Sequence, residues 1–271
     1  MSAPRTLEPR TLERSSFARN SVRVASKEVK ESLYAVRGSM WAVLAALVLS
    51  LMSYLLLTDK ELSLLDQSEM LYIIISLSIG LGLLVVGILA GDAVAGERER
   101  ATLESVLLTP VGRSSLVAGK IWAVVASWFL IFAISAPYIF VVSVGTSLSG
   151  PALLYTFVLG TLCVAGFAAL TVGISCLAST GRGVTLAALA IFIAMAAPTL
   201  LGSVLQKSWF GAIYNALSPF AQVSLSLDSV IVDKEGLPVQ LPHLSGLAAF
   251  VVVTGAFAAI AARRVSLEGG E

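Results

Sequence analysis

From Ile121 to Gly181 the chain carries no charged residue. That stretch holds two apolar runs, each of the roughly 20 residues needed to cross a bilayer. Only the short segment Gly145–Pro151 separates them. Lipid offers no hydrogen bonds, so a spanning backbone must form helices or a closed barrel. Barrel strands alternate in polarity and carry about 10 residues each. These runs are continuous and longer, so they read as two helices, and the short turn makes them antiparallel neighbours.

Four more runs have the same character. The six predicted spans are 40–57, 71–91, 121–144, 152–177, 184–205 and 244–262. Hydrophobic residues make up 57% of the 271 residues and charged residues 13%, with mean hydropathy +0.90. An ordinary soluble domain is about 25% charged, so a soluble enzyme and a disordered chain are both excluded. The predicted fold class is an all-α integral membrane protein. It has six transmembrane helices in a permease domain over 39–265. A disordered tail precedes it at 1–18, where Pro4–Glu8 is repeated as Pro9–Glu13, and a short tail follows at 266–271.

Lys and Arg mark the cytoplasmic side. Fifteen of the 18 lie before the first span, between the second and third, between the fourth and fifth, or after the sixth. Lys60, Lys207 and Lys234 lie on the other side. Both termini are therefore expected in the cytoplasm, with the protein in the plasma membrane, the inner membrane of a prokaryote. The first 38 residues hold twelve charges, so the first span reads as a retained anchor and not a signal peptide.

Residues 19–38 read as an amphipathic helix. Val22, Val29, Leu33 and Val36 fall on one face, with Arg23, Lys27, Lys30 and Arg37 mostly off it. A basic amphipathic helix before a span is expected to lie in the headgroup layer, against membrane lipid. A surface helix of a small cytoplasmic domain is the alternative.

The loop at 92–120 is far longer than the few residues a connection needs. It opens on Asp92 and then Glu97-Arg98-Glu99-Arg100. Leu103, Val106 and Leu107 follow at helical spacing, and Pro110 should end that short helix. A second short helix, 113–120, is expected to lead into the third span. The pattern resembles the cytoplasmic loop of the ABC-2 type permeases, the transmembrane subunits of certain ATP-binding-cassette exporters. Glu97, Arg98, Glu99, Thr102, Leu103, Glu104, Leu107, Leu108, Thr109, Pro110, Arg113, Gly119 and Lys120 fit the family pattern. Ala101 stands where that family commonly has Gly. The resemblance extends over the chain from about Ser21.

The resemblance implies a coupling helix that docks on a separate ABC ATPase. Glu97, Arg98, Glu99, Arg100, Thr102 and Glu104 would form its polar part, and Leu103, Val106 and Leu107 its apolar anchor. It also implies a second membrane subunit, either a second copy or a related permease, so that one chain forms half of the pathway. ATP and Mg would sit on the partner, and this chain would bind no cofactor and catalyse nothing itself. Without the resemblance, Glu97–Arg100 reads as a solvated charged turn.

The residues agree with that division of labour. There is no GxxxxGK(S/T) phosphate loop: Ser114 stands in place of the first Gly, and Ile121 follows Lys120. No ionisable residue lies deep in a span, as an ion-coupled carrier would need. Asp92 and the single histidine, His243, lie at span ends. Cys163 and Cys176 stand alone in apolar sequence, with no metal-site spacing. A net charge of +1 argues against nucleic acid as the main partner.

The segment 206–243 is expected outside. Trp209, Phe210, Tyr214 and Phe220 group there at mostly helical spacing, as aromatics do at membrane interfaces. They read either as an outer gate or as an interfacial cap, with Pro219 breaking the run and a polar loop over 230–241. Small residues, including Gly87, Gly91, Gly160, Gly166 and Gly173, mark faces for close helix packing. Two functions remain open: an exporter subunit driven by the ATPase, or a membrane scaffold that recruits an ATPase without moving a solute. An ATPase-independent carrier or membrane enzyme is the weakest reading, because intramembrane ionisable groups are missing.

Overall fold

The computed structural model describes residues 26, 36–58, 66–103, 112–144, 148–200, 208–233 and 237–265. All regular structure among them is helical. The elements are α1 (Val36–Thr58), α2 (Gln67–Gly91), α3 (Arg113–Ser143), α4 (Ser149–Leu177), α5 (Gly181–Leu200), α6 (Trp209–Leu217), α7 (Pro219–Leu227) and α8 (Leu237–Arg263). Among the described residues, five helical stretches are long and apolar enough to cross a membrane: Ser39–Thr58, Gln67–Glu99, Arg113–Ser143, Ser149–Leu177 and Gln240–Arg263. The fifth predicted span falls on α5, whose stretch Gly181–Ala197 ranks among the shorter apolar helices.

α4 sits at the centre and packs on α2, α3 and α8. Its small residues make that possible. Trp128 of α3 is fully buried, and a Cβ on Gly82 of α2 or Gly160 of α4 would lie 2.3 or 2.4 Å from its ring atoms. The indole N–H donates to Thr161 Oγ1 at 3.0 Å, so its one polar group is satisfied. Phe132 of α3 meets Phe157 of α4 in a tilted contact, 5.4 Å between ring centres. Pairing 128 with 161 and 132 with 157 makes α3 and α4 antiparallel neighbours, as their short connection predicts. Along the other side of α4, Gly166 and Gly173 receive the rings of Phe250 and Phe257 from α8.

Several hydroxyls inside the apolar helices bond back along their own turn. Ser78, Thr156 and Thr171 donate to Ile74 O, Ala152 O and Phe167 O at 2.6–2.8 Å. This satisfies them without a partner helix. α1 is peripheral. Val43, Leu47, Leu51 and Tyr54 stand exposed along it, as a face turned to hydrocarbon can be.

Several predicted boundaries move. The second span does not stop at Gly91. The helix passes through a π-helical turn, Asp92–Gly96, and continues over Glu97–Glu99. The expected helix at 113–120 is the first part of one unbroken helix, α3. α8 begins at Leu237, ahead of the predicted 244, and Pro242 lies inside it. The expected polar loop at 230–241 is therefore mostly helical, with α7 extended by a second π-helical turn, Asp228–Val232. Val36 opens α1, while Val22, Val29 and Leu33 lie outside the described residues.

Candidate functional site

The charged end of α2 is built on the π turn. Such a turn widens the helix and displaces backbone amides from their usual partners. Ser175 of α4 meets them: its Oγ accepts from Val94 N at 3.1 Å and Ala95 N at 2.9 Å. The same hydroxyl donates to Gly91 O at 3.3 Å. The start of α5 presses on this turn. A Cβ on Gly181 would lie 3.1 Å from Asp92 Oδ1 and 3.3 Å from Gly96 Cα.

The next four side chains have separate destinations. Glu97 Oε1 accepts from Lys120 Nζ of α3 at 2.7 Å, and the Lys120 side chain is only 2% exposed. Glu97 Oε2 is buried and has no hydrogen-bond partner among the described residues. Arg98 donates to Ala178 O, and to Cys176 O at 3.1 Å. Those carbonyls end α4, where a helix leaves acceptors unsatisfied and favours a cation. Glu99 Oε2 accepts from Gly181 N, the first amide of α5, at 3.1 Å. An anion is favoured at a helix start for the converse reason. Arg100 turns back to Asp92, with Nη2 and Oδ2 3.0 Å apart and both side chains about half exposed.

The helix then stops in a defined way. Ala101 has φ +56°, in the left-handed region. Thr102 N donates to Glu97 O at 2.9 Å and Ala101 N to Arg98 O at 3.0 Å. This is the bond pair of a Schellman C-cap, whose left-handed position usually holds Gly. The departure noticed in the sequence at Ala101 thus falls on the one described non-Gly residue with positive φ.

A helical membrane bundle with a charged, capped helix end between its second and third helices matches one family model. The description is ABC-2 family transporter protein, and residues 22–267 match. The chain belongs to that family. No curated protein matches it. It is accordingly a membrane transporter permease, a transmembrane subunit of the ABC-2 kind.

Within this ABC-2 permease the predicted site residues separate into two groups. Glu97, Arg98 and Glu99 contact other helices of the same chain, and Leu103, expected to anchor a partner, is buried in the chain's own core. Glu99, despite its bond to Gly181, is exposed, as are Arg100, Ala101 and Thr102. Glu104, Val106 and Leu107 lie outside the described residues. Ser175 and Lys120 complete the arrangement. The Gly-Lys pair hinted at Lys120, whereas one serine in an apolar span gave no signal.

The aromatic group between α5 and α8 also divides. Trp209 is 78% exposed and Phe220 only 8%, so they belong to different surfaces. Tyr214 OH donates to Ala194 O of α5 at 2.5 Å. Phe210 starts on α6, and its side chain lies outside the described residues. Ser208 and Ser218 cap α6 and α7, accepting from Gly211 N and Ala221 N. Pro219 occupies the first turn of α7, where its missing N–H costs nothing. His243 Nδ1 of α8 lies 2.5 Å from Gln222 Oε1 of α7, tying the segment to the bundle.

Proposed function

We propose that this chain is the permease subunit of an ABC-2 exporter and is coupled to a separate ATPase through the connection at 92–120. In this reading α1, α2, α3, α4, α5 and α8 are the six spans, with both termini in the cytoplasm of a prokaryotic cell. α5, at 20 residues, has the roughly 30 Å needed to cross. Two membrane subunits, as copies or relatives, form the pathway, and this chain supplies half. ATP and Mg bind on the partner.

The observation that carries the reading is the exposed apex Arg100–Thr102 at the end of a membrane-spanning helix, in a chain matched to the family over 22–267. An exposed ion pair such as Arg100–Asp92 is worth about 0–1 kcal/mol, so a partner's charges can replace it. The apex and residues 104–107 form the contact surface. The segment α6–α7 stands on the opposite side as an outer gate or cap, and the pathway it would close is apolar.

Co-expression with candidate ABC ATPases, sought first among the neighbouring genes, tests the reading. One of them should co-purify with the chain, Arg100→Glu should weaken association, and vesicles should show ATP-dependent flux. Absence of co-purification refutes the coupling. Association without flux of any tested hydrophobic or amphipathic cargo favours a scaffold that recruits an ATPase.

A further inference from the structure

The run Glu97–Glu99 is turned into its own chain. Glu97 ends on α3, Arg98 on the last carbonyls of α4 and Glu99 on the first amide of α5. Each sign suits its target: the cation meets a helix C-terminus and the anion a helix N-terminus. Ser175 adds a bond from α4 to the π turn just before them. Glu99 is exposed yet still reaches α5, whereas Arg100 returns to Asp92 at the end of its own helix. The Glu97–Lys120 pair is also a poor source of stability. Burying charges costs several kcal/mol each, and Glu97 Oε2 has no partner among the described residues. Its value is that it fixes α2 against α3.

We infer that Glu97, Arg98 and Glu99 are positioning residues that clamp the ends of α2, α3, α4 and α5 into one rigid body, so that a push on the following loop moves four helices together. The inference rests on the coupling reading above and departs from the expectation that these charges dock on the ATPase. Docking begins at Arg100. The clamp decides how far the push travels.

The test uses the full chain with the ATPase that co-purifies with it, reconstituted in vesicles, with one distance label at the end of α5, inside the clamped body, and the other on α1, outside it. Glu97→Gln and Glu99→Gln should bind as much ATPase as the wild type, while the ATP-driven change in label distance falls about tenfold in extent. Lys120→Arg, which keeps the ion pair, should retain the change. Loss of ATPase binding in Glu97→Gln and Glu99→Gln makes them docking residues and overturns the clamp. So does an undiminished distance change with the ATPase bound. If the wild type binds no ATPase, the coupling reading itself fails, and the clamp is decided on the isolated chain. There Glu99→Gln should speed amide exchange at Gly181 about tenfold, as loss of a charge-assisted bond predicts. Unchanged exchange overturns the clamp.

Discussion

Lys120 Nζ lies 2.7 Å from Glu97 Oε1, and it does so on a side chain almost wholly withdrawn from solvent. The two residues sit on adjacent helices of the bundle, one at the end of α2 and the other in the second turn of α3. Removing Lys120 leaves the largely buried Glu97 carboxylate without this cation. Lys120→Met should therefore destabilise the chain by about 3 kcal/mol, whereas Glu97→Leu with Lys120→Met should cost far less. Denaturant unfolding in detergent measures both. Equal losses in the single and double variants would show that packing, and not the charge pair, sets the cost.

Ala101 predicts the opposite direction. A residue with a Cβ in the left-handed region costs about 1–2 kcal/mol over Gly. Ala101→Gly should raise stability by about 1 kcal/mol, less the entropy Gly loses on folding. A thermal melt reads the gain, and a lower melting temperature would refute the capping geometry.

Trp128 predicts a steric effect. Gly160→Ala places a methyl group 2.4 Å from the indole, and overpacking of this kind typically costs about 1–3 kcal/mol. Adding Trp128→Leu should return part of that loss, because the smaller side chain vacates the space. Melts of the single and double variants test the pairing, and strict additivity would contradict it.

Asp228, in the short α7 segment outside the long spans, predicts a pH dependence. Burial raises its pKa, and the negative charges of Asp233 and Glu69 raise it further. A carboxyl with a raised folded-state pKa binds its proton more tightly when folded. Its contribution to stability is fully present below the unfolded pKa and is lost as pH rises through the folded one. Asp228→Asn should stabilise the chain at neutral pH and flatten the slope across the carboxylate range. An identical pH profile in wild type and variant would remove Asp228 as its source.

The helices were legible because an apolar run of 20 residues has few fates. The antiparallel pairing of α3 and α4 was legible because Gly145–Pro151 is too short for anything else. The glycines were legible as packing faces, although not which ring would fill each. The charged run was legible by position but not by direction. Sequence shows that Glu97, Arg98 and Glu99 are charged. It does not show that the termini of α4 and α5 stand within reach, since those are created by packing far along the chain. The π turn left no mark either, because Asp92–Gly96 has the composition of an ordinary helix end. Ser175 resembles every other serine in an apolar span until the turn it bonds is known.

The π turn at Asp92–Gly96 works as an angular setting. It arises from the accommodation of one extra residue in a helix, and each α-helical residue advances about 100° around the axis, given 3.6 per turn. Winding the same five residues as regular α-helix would swing every later side chain through roughly that angle. Glu97, Arg98 and Glu99 would keep their order and their charges, yet each would point at its neighbour's address. The meaning of the charged run therefore resides in a rotation made five residues earlier.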